Sequence, residues 1–159
     1  RHGRGRLEYP SGDVYEGEWQ QNKRHGHGKF EAAGHTFQYN GLWVDDLPHG
    51  EGVAVFGNGD KYEGCFAKGQ YHGQGNWIRK DFSYKGEFQE GKRQGLGTCN
   101  EKNGEVYTGE WVDNERHGTG QCIYPDGSIY SGEWVSGERH GQGHLLGAPE
   151  GSSRPGAAA

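Results

Sequence analysis

The sequence contains no methionine, only 5 prolines and 3 cysteines, and only 30% of its 159 residues are hydrophobic. So thin a supply of apolar side chains, with a mean hydropathy of −1.10, argues against a round domain built on one core. No apolar run approaches the ~20 residues that a membrane-spanning helix needs. Neither a myristoylation nor a prenylation motif is present, so contact with a membrane is expected only from the surface. The cysteines are odd in number and follow no secretory signal, which favours reduced thiols inside a cell. A chain that lacks methionine and opens in mid-pattern, at Arg1-His2-Gly3-Arg4-Gly5, is expected to be a segment of a longer protein. Its net charge of −5 opposes binding to nucleic-acid phosphate.

What is abundant is glycine, with 32 residues, and aromatic side chains, at 13%. Disordered chains are poor in aromatics, so order is expected. Tyr15, Tyr39, Tyr62, Tyr84, Tyr107 and Tyr130 follow one another at separations of 24, 23, 22, 23 and 23 residues, the signature of a repeat array. Two positions after each tyrosine stands Gly17, Gly41, Gly64, Gly86, Gly109 or Gly132, and two further on Trp19, Trp43, Phe66, Phe88, Trp111 or Trp134. Spacing by two is strand spacing and puts all three on one face.

The second half of each unit carries Gly-x-Gly, from Gly26-His27-Gly28 to Gly141-Gln142-Gly143. Both glycines are expected on one strand face, extended by a bulky residue such as Phe30, Trp77 or Leu145. Rings on one strand can then cover bare backbone on its partner, which offsets the cost of glycine in a strand.

The spacing divides the chain into a partial repeat at 1–14, six repeats at 15–38, 39–61, 62–83, 84–106, 107–129 and 130–146, and a flexible tail at 147–159 without periodicity or aromatics. An extra residue around 32–35 predicts a longer turn or a bulge, and the short third repeat predicts an irregular joint at Arg79-Lys80-Asp81. Asn103-Gly104 is a hairpin signal.

None of the columns has the arrangement that catalysis requires. His25, His49, His72, His117 and His140 should stand ~10 Å apart in consecutive repeats, too far to converge on one zinc, and are read as hydrogen-bonding the hairpin turns. A metal shared between two chains is the only ligation open to them. Cys99 and Cys122 should be separated by a similar ~10 Å, beyond the reach of a disulfide. The Glu18, Glu87, Glu110 and Glu133 column reads as a solvated face paired with turn cations, not as an acid/base cleft. Gly-x-Gly here is not followed by a helix and carries no Walker Lys-Ser/Thr, so it does not read as a phosphate loop. No catalytic residue, cofactor or metal is expected.

Units such as Tyr15 to Gly28, YEGEWQQNKRHGHG, and Tyr107 to Gly120, YTGEWVDNERHGTG, resemble MORN repeats (membrane occupation and recognition nexus). The resemblance covers roughly residues 1 to 146. It implies an all-β chain: an elongated, single-layer, twisted antiparallel sheet of stacked β-hairpins without helix. It also implies a cytoplasmic scaffold at cytoskeletal or membrane-associated structures. Twelve strands or so at ~4.8 Å give a length of ~60 Å.

Three functions are compatible with this. One is a non-catalytic scaffold or adaptor that presents its surface to protein partners, cytoskeletal ones among them, and pairs with a second copy through an array end. Identical repeats offer the same contacts at several registers, so selectivity is expected where the pattern breaks, at Leu47, Pro48, Tyr71, Trp77 and Phe82. The second is a peripheral module whose Lys23, Arg24, Lys92, Arg93, Arg116 and Arg139 meet anionic lipid headgroups. The third, implied by the resemblance, is the regulatory repeat region of a larger lipid kinase or methyltransferase.

Overall fold

The computed structural model describes residues 1–149. Thirteen strands follow one another: β1 (Gly3–Glu8), β2 (Val14–Gln20), β3 (Lys23–Glu31), β4 (Phe37–Val44), β5 (Leu47–Phe56), β6 (Lys61–Ala67), β7 (Gln70–Ile78), β8 (Phe82–Gln89), β9 (Lys92–Glu101), β10 (Val106–Val112), β11 (Glu115–Ile123), β12 (Ile129–Val135) and β13 (Glu138–Leu146). Each is antiparallel to the next, and spatial order is chain order throughout one open sheet. Among the described residues the one helical element is a 3-10 turn at Ala33–His35, which absorbs the extra residue expected there. After the third repeat the strands join by a tighter turn closed by Arg79 N–H to Phe82 O at 2.8 Å, and the sheet runs on unbroken. Of the tail, residues 147–149 carry no strand and 150–159 lie outside the described residues.

Two turn types alternate. Inside each repeat a two-residue turn joins the ring strand to the glycine strand, and both central residues have positive φ, as at Gln21 and Asn22 (50° and 65°) or Asp113 and Asn114 (47° and 70°). That is the primed hairpin turn whose twist matches the flanking strands. Between repeats, turns such as Tyr9 to Gly12 and Glu101 to Gly104 close with N–H to O bonds of 2.9 and 3.0 Å.

Within each hairpin the register slips once at the same place. Gly17 pairs with Gly28 and Trp19 with Arg24, leaving Glu18 opposite His25, Gly26 and His27. The other hairpins repeat the slip. Gly26 sits in this bulge with φ of 69°, where a side chain would be strained. Only the second glycine of each Gly-x-Gly therefore lies beneath a ring, which corrects the expectation for both.

The bulge also corrects the reading of the glutamate column. Glu18, Glu87, Glu110 and Glu133 are not paired with the turn cations. Each carboxylate accepts the backbone N–H just past the bulge glycine, from His27, Leu96 (2.5 Å), Thr119 (2.5 Å) and Gln142 (2.7 Å). Leu42 and Cys65 replace the glutamate in the second and third repeats.

The core is a one-dimensional ladder on a single face. Each tyrosine meets the Trp or Phe of its own repeat and, up to Tyr107, that of the next, edge to face, at centroid distances of 5.0 to 5.4 Å from Tyr15–Trp19 to Tyr130–Trp134. Such contacts add ~0.5 to 1.5 kcal/mol each beyond area burial. The tyrosine hydroxyl donates to the carbonyl three residues on, as from Tyr107 to Glu110 at 2.8 Å, so the phenol is buried without an unmet polar group. Burial first of all pushes Tyr15, Tyr39 and Tyr107 up to about 12. All three cysteines are free thiols, and Cys99 and Cys122 flank Tyr107 on the two strands beside it.

Candidate partner-binding groove

A row of arginines lies over this ladder. Arg24 stands 4.6 Å from the Trp43 ring and also faces Tyr15 and Phe30. Arg93 stands 4.6 Å from Trp111, and Arg116 lies 4.9 Å from Tyr107 and 5.3 Å from Trp134. Each guanidinium reaches across to a polar partner as well. Arg24 bonds Asp46 at 3.2 Å, Arg93 bonds Asn114 at 3.0 Å through its carbonyl, and Arg116 bonds Glu105 at 2.7 Å. Burial pulls Arg116 down, but Glu105 outweighs that and leaves it above its ordinary value. Arg93, with a neutral partner, is lowered chiefly by burial.

The row breaks in the second and third repeats, where Pro48 and Tyr71 occupy the arginine position opposite Trp43 and Phe66. Small Ala54 stands there where the repeats on either side carry Phe30 and Trp77. The result is a cavity of about 330 Å³ on the ring face, lined by Phe37, Tyr39, Pro48, Ala54, Phe56, Phe66 and Tyr71, with Gly69, Gln70 and Gly91 at its rim. Tyr71 lies flat on Tyr62, 3.8 Å and 3° from parallel, and walls one side. Phe37 and Phe56, paired across β4 and β5, form the other at 5.3 Å. A concave, predominantly apolar site of this size can take one or two side chains of a ligand.

Of the residues singled out from sequence, Tyr71 and Pro48 line the groove. Trp77 and Phe82 are half-buried beside it, perpendicular at 5.2 Å, with Arg79 over both. Leu47, 46% exposed, does not line the groove: one residue before Pro48 and paired with Val44, it belongs to the same column as Lys23 and Lys92, so alternation turns it to the opposite face, which corrects its assignment as a groove residue. The six cations divide between the faces. Arg24, Arg93, Arg116 and Arg139 stack on rings, whereas Lys23 and Lys92, one residue earlier along the strand, point to the opposite face. Of the histidine column only His49 bonds the next hairpin among the described residues, its Nδ1 accepting Lys68 N–H at 3.3 Å, and Gln94, in the same column, accepts Asp113 N–H at 3.0 Å, so the turn-fixing role expected of all five histidines holds for one. No group of three or more metal-ligating side chains converges among the described residues.

Phe37 and Phe56 are the groove residues that sequence reasoning missed. The signal was in the columns: the position two before each tyrosine is Asp13, Asp60, Glu105 or Ser128 in four units, but Phe37 or Phe82 in two.

The family model described as MORN repeat matches residues 1–14, 15–36, 39–61, 62–81, 84–105, 107–129 and 130–151. No curated protein matches the chain.

Proposed function

The chain belongs to the MORN repeat family, whose arrays are repeat-based modules for binding proteins or membranes, and on that premise we propose that it is a non-catalytic scaffold that holds a protein partner in the groove of its second and third repeats. The observation that supports this reading is the break in the arginine row. Elsewhere the ladder is roofed by the chain's own guanidinium groups, whereas at Pro48 and Tyr71 uncharged side chains take their place and an apolar cavity opens beside them. Aromatic residues dominate binding hot spots, where truncation costs ~2 kcal/mol or more. Tyr71, in the wall, is the anchor we assign, with Trp77 and Phe82 supporting the wall.

A membrane-surface role would draw on Lys23, Arg24, Lys92, Arg93, Arg116 and Arg139. Their division between two faces, with Arg24 and Arg116 largely covered, weighs against one cationic surface. The protein-binding reading is tested by affinity capture with the parent, Phe56→Glu and Tyr71→Ala, each checked for unchanged melting, beside flotation on anionic vesicles. Loss of one specific partner without loss of folding supports it. Identical partners for all three proteins would refute it, and flotation that needs Lys23 and Lys92 would favour the membrane.

A further inference from the structure

The seven glycine-bearing strands serve as templates for one another, and three positions change together. Arg1, Arg24, Arg93 and Arg116 lie over Trp19, Trp43, Trp111 and Trp134. Pro48 and Tyr71 instead precede Phe66 and Phe88, registered against Gly50 and Gly73. The residue whose N–H bonds the carbonyl at the arginine position is Asn22, Asp46, Asn114 or Gly137 in the first group, with Glu105 supplying the acid where it is Gly137. It is Gly69 or Gly91 in the second. Tryptophan is the best ring for a cation and phenylalanine a weaker one. Guanidinium, electron-rich ring and polar partner are thus lost together, so the open slot is not a vacant arginine site waiting for a partner's cation. A charge placed there would be desolvated with no carboxylate to meet it.

The charge at one end of the slot has the opposite need. Gly91 at the rim leads two residues along the chain to Arg93, ~7 Å away. Arg93 hydrogen-bonds neutral Asn114, lies over Phe82, Tyr84 and Trp111 within electrostatic reach of Glu101, and makes no ion pair among the described residues. Arg24, beyond the other end, is already neutralised by Asp46.

Resting on the scaffold reading above, we infer that the groove receives an acidic amphipathic peptide segment: uncharged apolar side chains enter between Tyr39, Phe56, Phe66 and Tyr71, and a carboxylate at one end of the segment pairs with Arg93. Six inter-strand steps separate Arg24 on β3 from Arg93 on β9, a span of ~29 Å that about nine extended residues cover.

The test uses a display library of random peptides about twelve residues long, just over the span, selected on the chain and on two variants. The triple variant Pro48→Arg, Phe66→Trp, Gly69→Asp rebuilds the Arg24–Trp43–Asp46 arrangement and roofs the slot from within. It is expected to fold, because Asp46 already holds the left-handed backbone (φ 70°) that Gly69 has (82°). Selected peptides should carry two or more apolar residues and an Asp or Glu on one side, and should lose binding at least tenfold on the triple variant. Arg93→Gln in the protein, or Glu→Gln in the peptide, should weaken binding about tenfold, as a charged hydrogen bond warrants. Groove-dependent peptides that are basic, or indifferent to both amide substitutions, would overturn the inference and leave the groove a protein site. Peptides that bind the triple variant as well as the parent, or no selected peptides at all, would remove the groove itself. Phosphatidylserine vesicles that bind the parent and not the triple variant would assign the slot to lipid instead.

Discussion

A Cβ built on Gly120 would stand 2.5 Å from ring carbons of Tyr107. No rotamer relieves that overlap, because Tyr107 is wedged between Trp111 and Trp134 at 5.1 and 5.2 Å. Gly120→Ala should therefore cost about 3 kcal/mol, the upper end of ordinary overpacking. Gly118→Ala should fail for a different reason: its φ is +63°, and the group in the way is the Glu110 carboxylate. The left-handed backbone alone costs ~1 to 2 kcal/mol, and removing Glu110 should recover only the remainder. Urea unfolding of both, with Glu110→Ala in a double-mutant cycle, separates the mechanisms. A Gly120→Ala chain as stable as the parent would end the ring-over-glycine account.

Trp111 carries two loads that a phenylalanine cannot. Its indole N–H donates to Gly97 O at 3.1 Å, and its ring faces Arg93 at 4.6 Å. Trp111→Phe should cost ~1 to 2 kcal/mol through those polar terms, and Trp111→Ala ~3 to 5 kcal/mol through the lost ring. The Arg93→Gln and Trp111→Phe losses should not add, since one removes and the other weakens the same cation–ring contact. Additive losses in thermal unfolding would show that the stacking contributes nothing.

Period, strand spacing and ring column were legible because they are one-dimensional, and a sheet with chain-order pairing keeps them so. Tyr15, Gly17 and Trp19 stand where alternation put them, on one buried face. Gly26 does not, because a bulge is a relation between two strands: the slip that seats it opposite Glu18 depends on the distance from Trp19 to its turn. The Glu18 and Arg24 partners were misread for the same reason, since a carboxylate on a bulged strand finds backbone N–H groups before it finds a cation. The groove was half legible. Pro48 and Tyr71 broke the pattern visibly, but Phe37 and Phe56 face them only once β4 and β5 pair, and Leu47, which also broke it, falls on the opposite face by alternation.

Glu110 offers a test of the bulge itself. Its carboxylate accepts Thr119 N–H at 2.5 Å, and charge-assisted bonds exceed neutral ones roughly twofold. Glu110→Gln should lower stability by about 1 kcal/mol and speed amide exchange at Thr119. The second and third repeats, with Leu42 and Cys65 in that position, should exchange faster at Glu51 and Gln74 in the parent. Equal protection across all bulges would mean the glutamates only decorate them.

Alkaline pH should dismantle the ladder. Burial, the largest cause in each case, lifts Tyr15, Tyr39 and Tyr107 from 10 to about 12, and pushes Tyr62 and Tyr84 up as well. Below pH 10 folded and unfolded chains both keep these protons, and stability is intact. Between pH 10 and 12 the unfolded chain gives them up while the folded one holds them, so rising pH favours unfolding. A tenfold change in proton affinity is worth ~1.4 kcal/mol, so each of the three costs up to about 3 kcal/mol across that window. Urea midpoints measured upward from neutrality, with tyrosinate absorbance followed in parallel, should fall together with cooperative ionisation. Tyr107→Phe should be less stable at neutrality, having lost its bond to Glu110, and should fall less steeply. Tyrosines that ionise near 10 while the chain stays folded would show that the phenols are open to water, and the ladder as described would not hold.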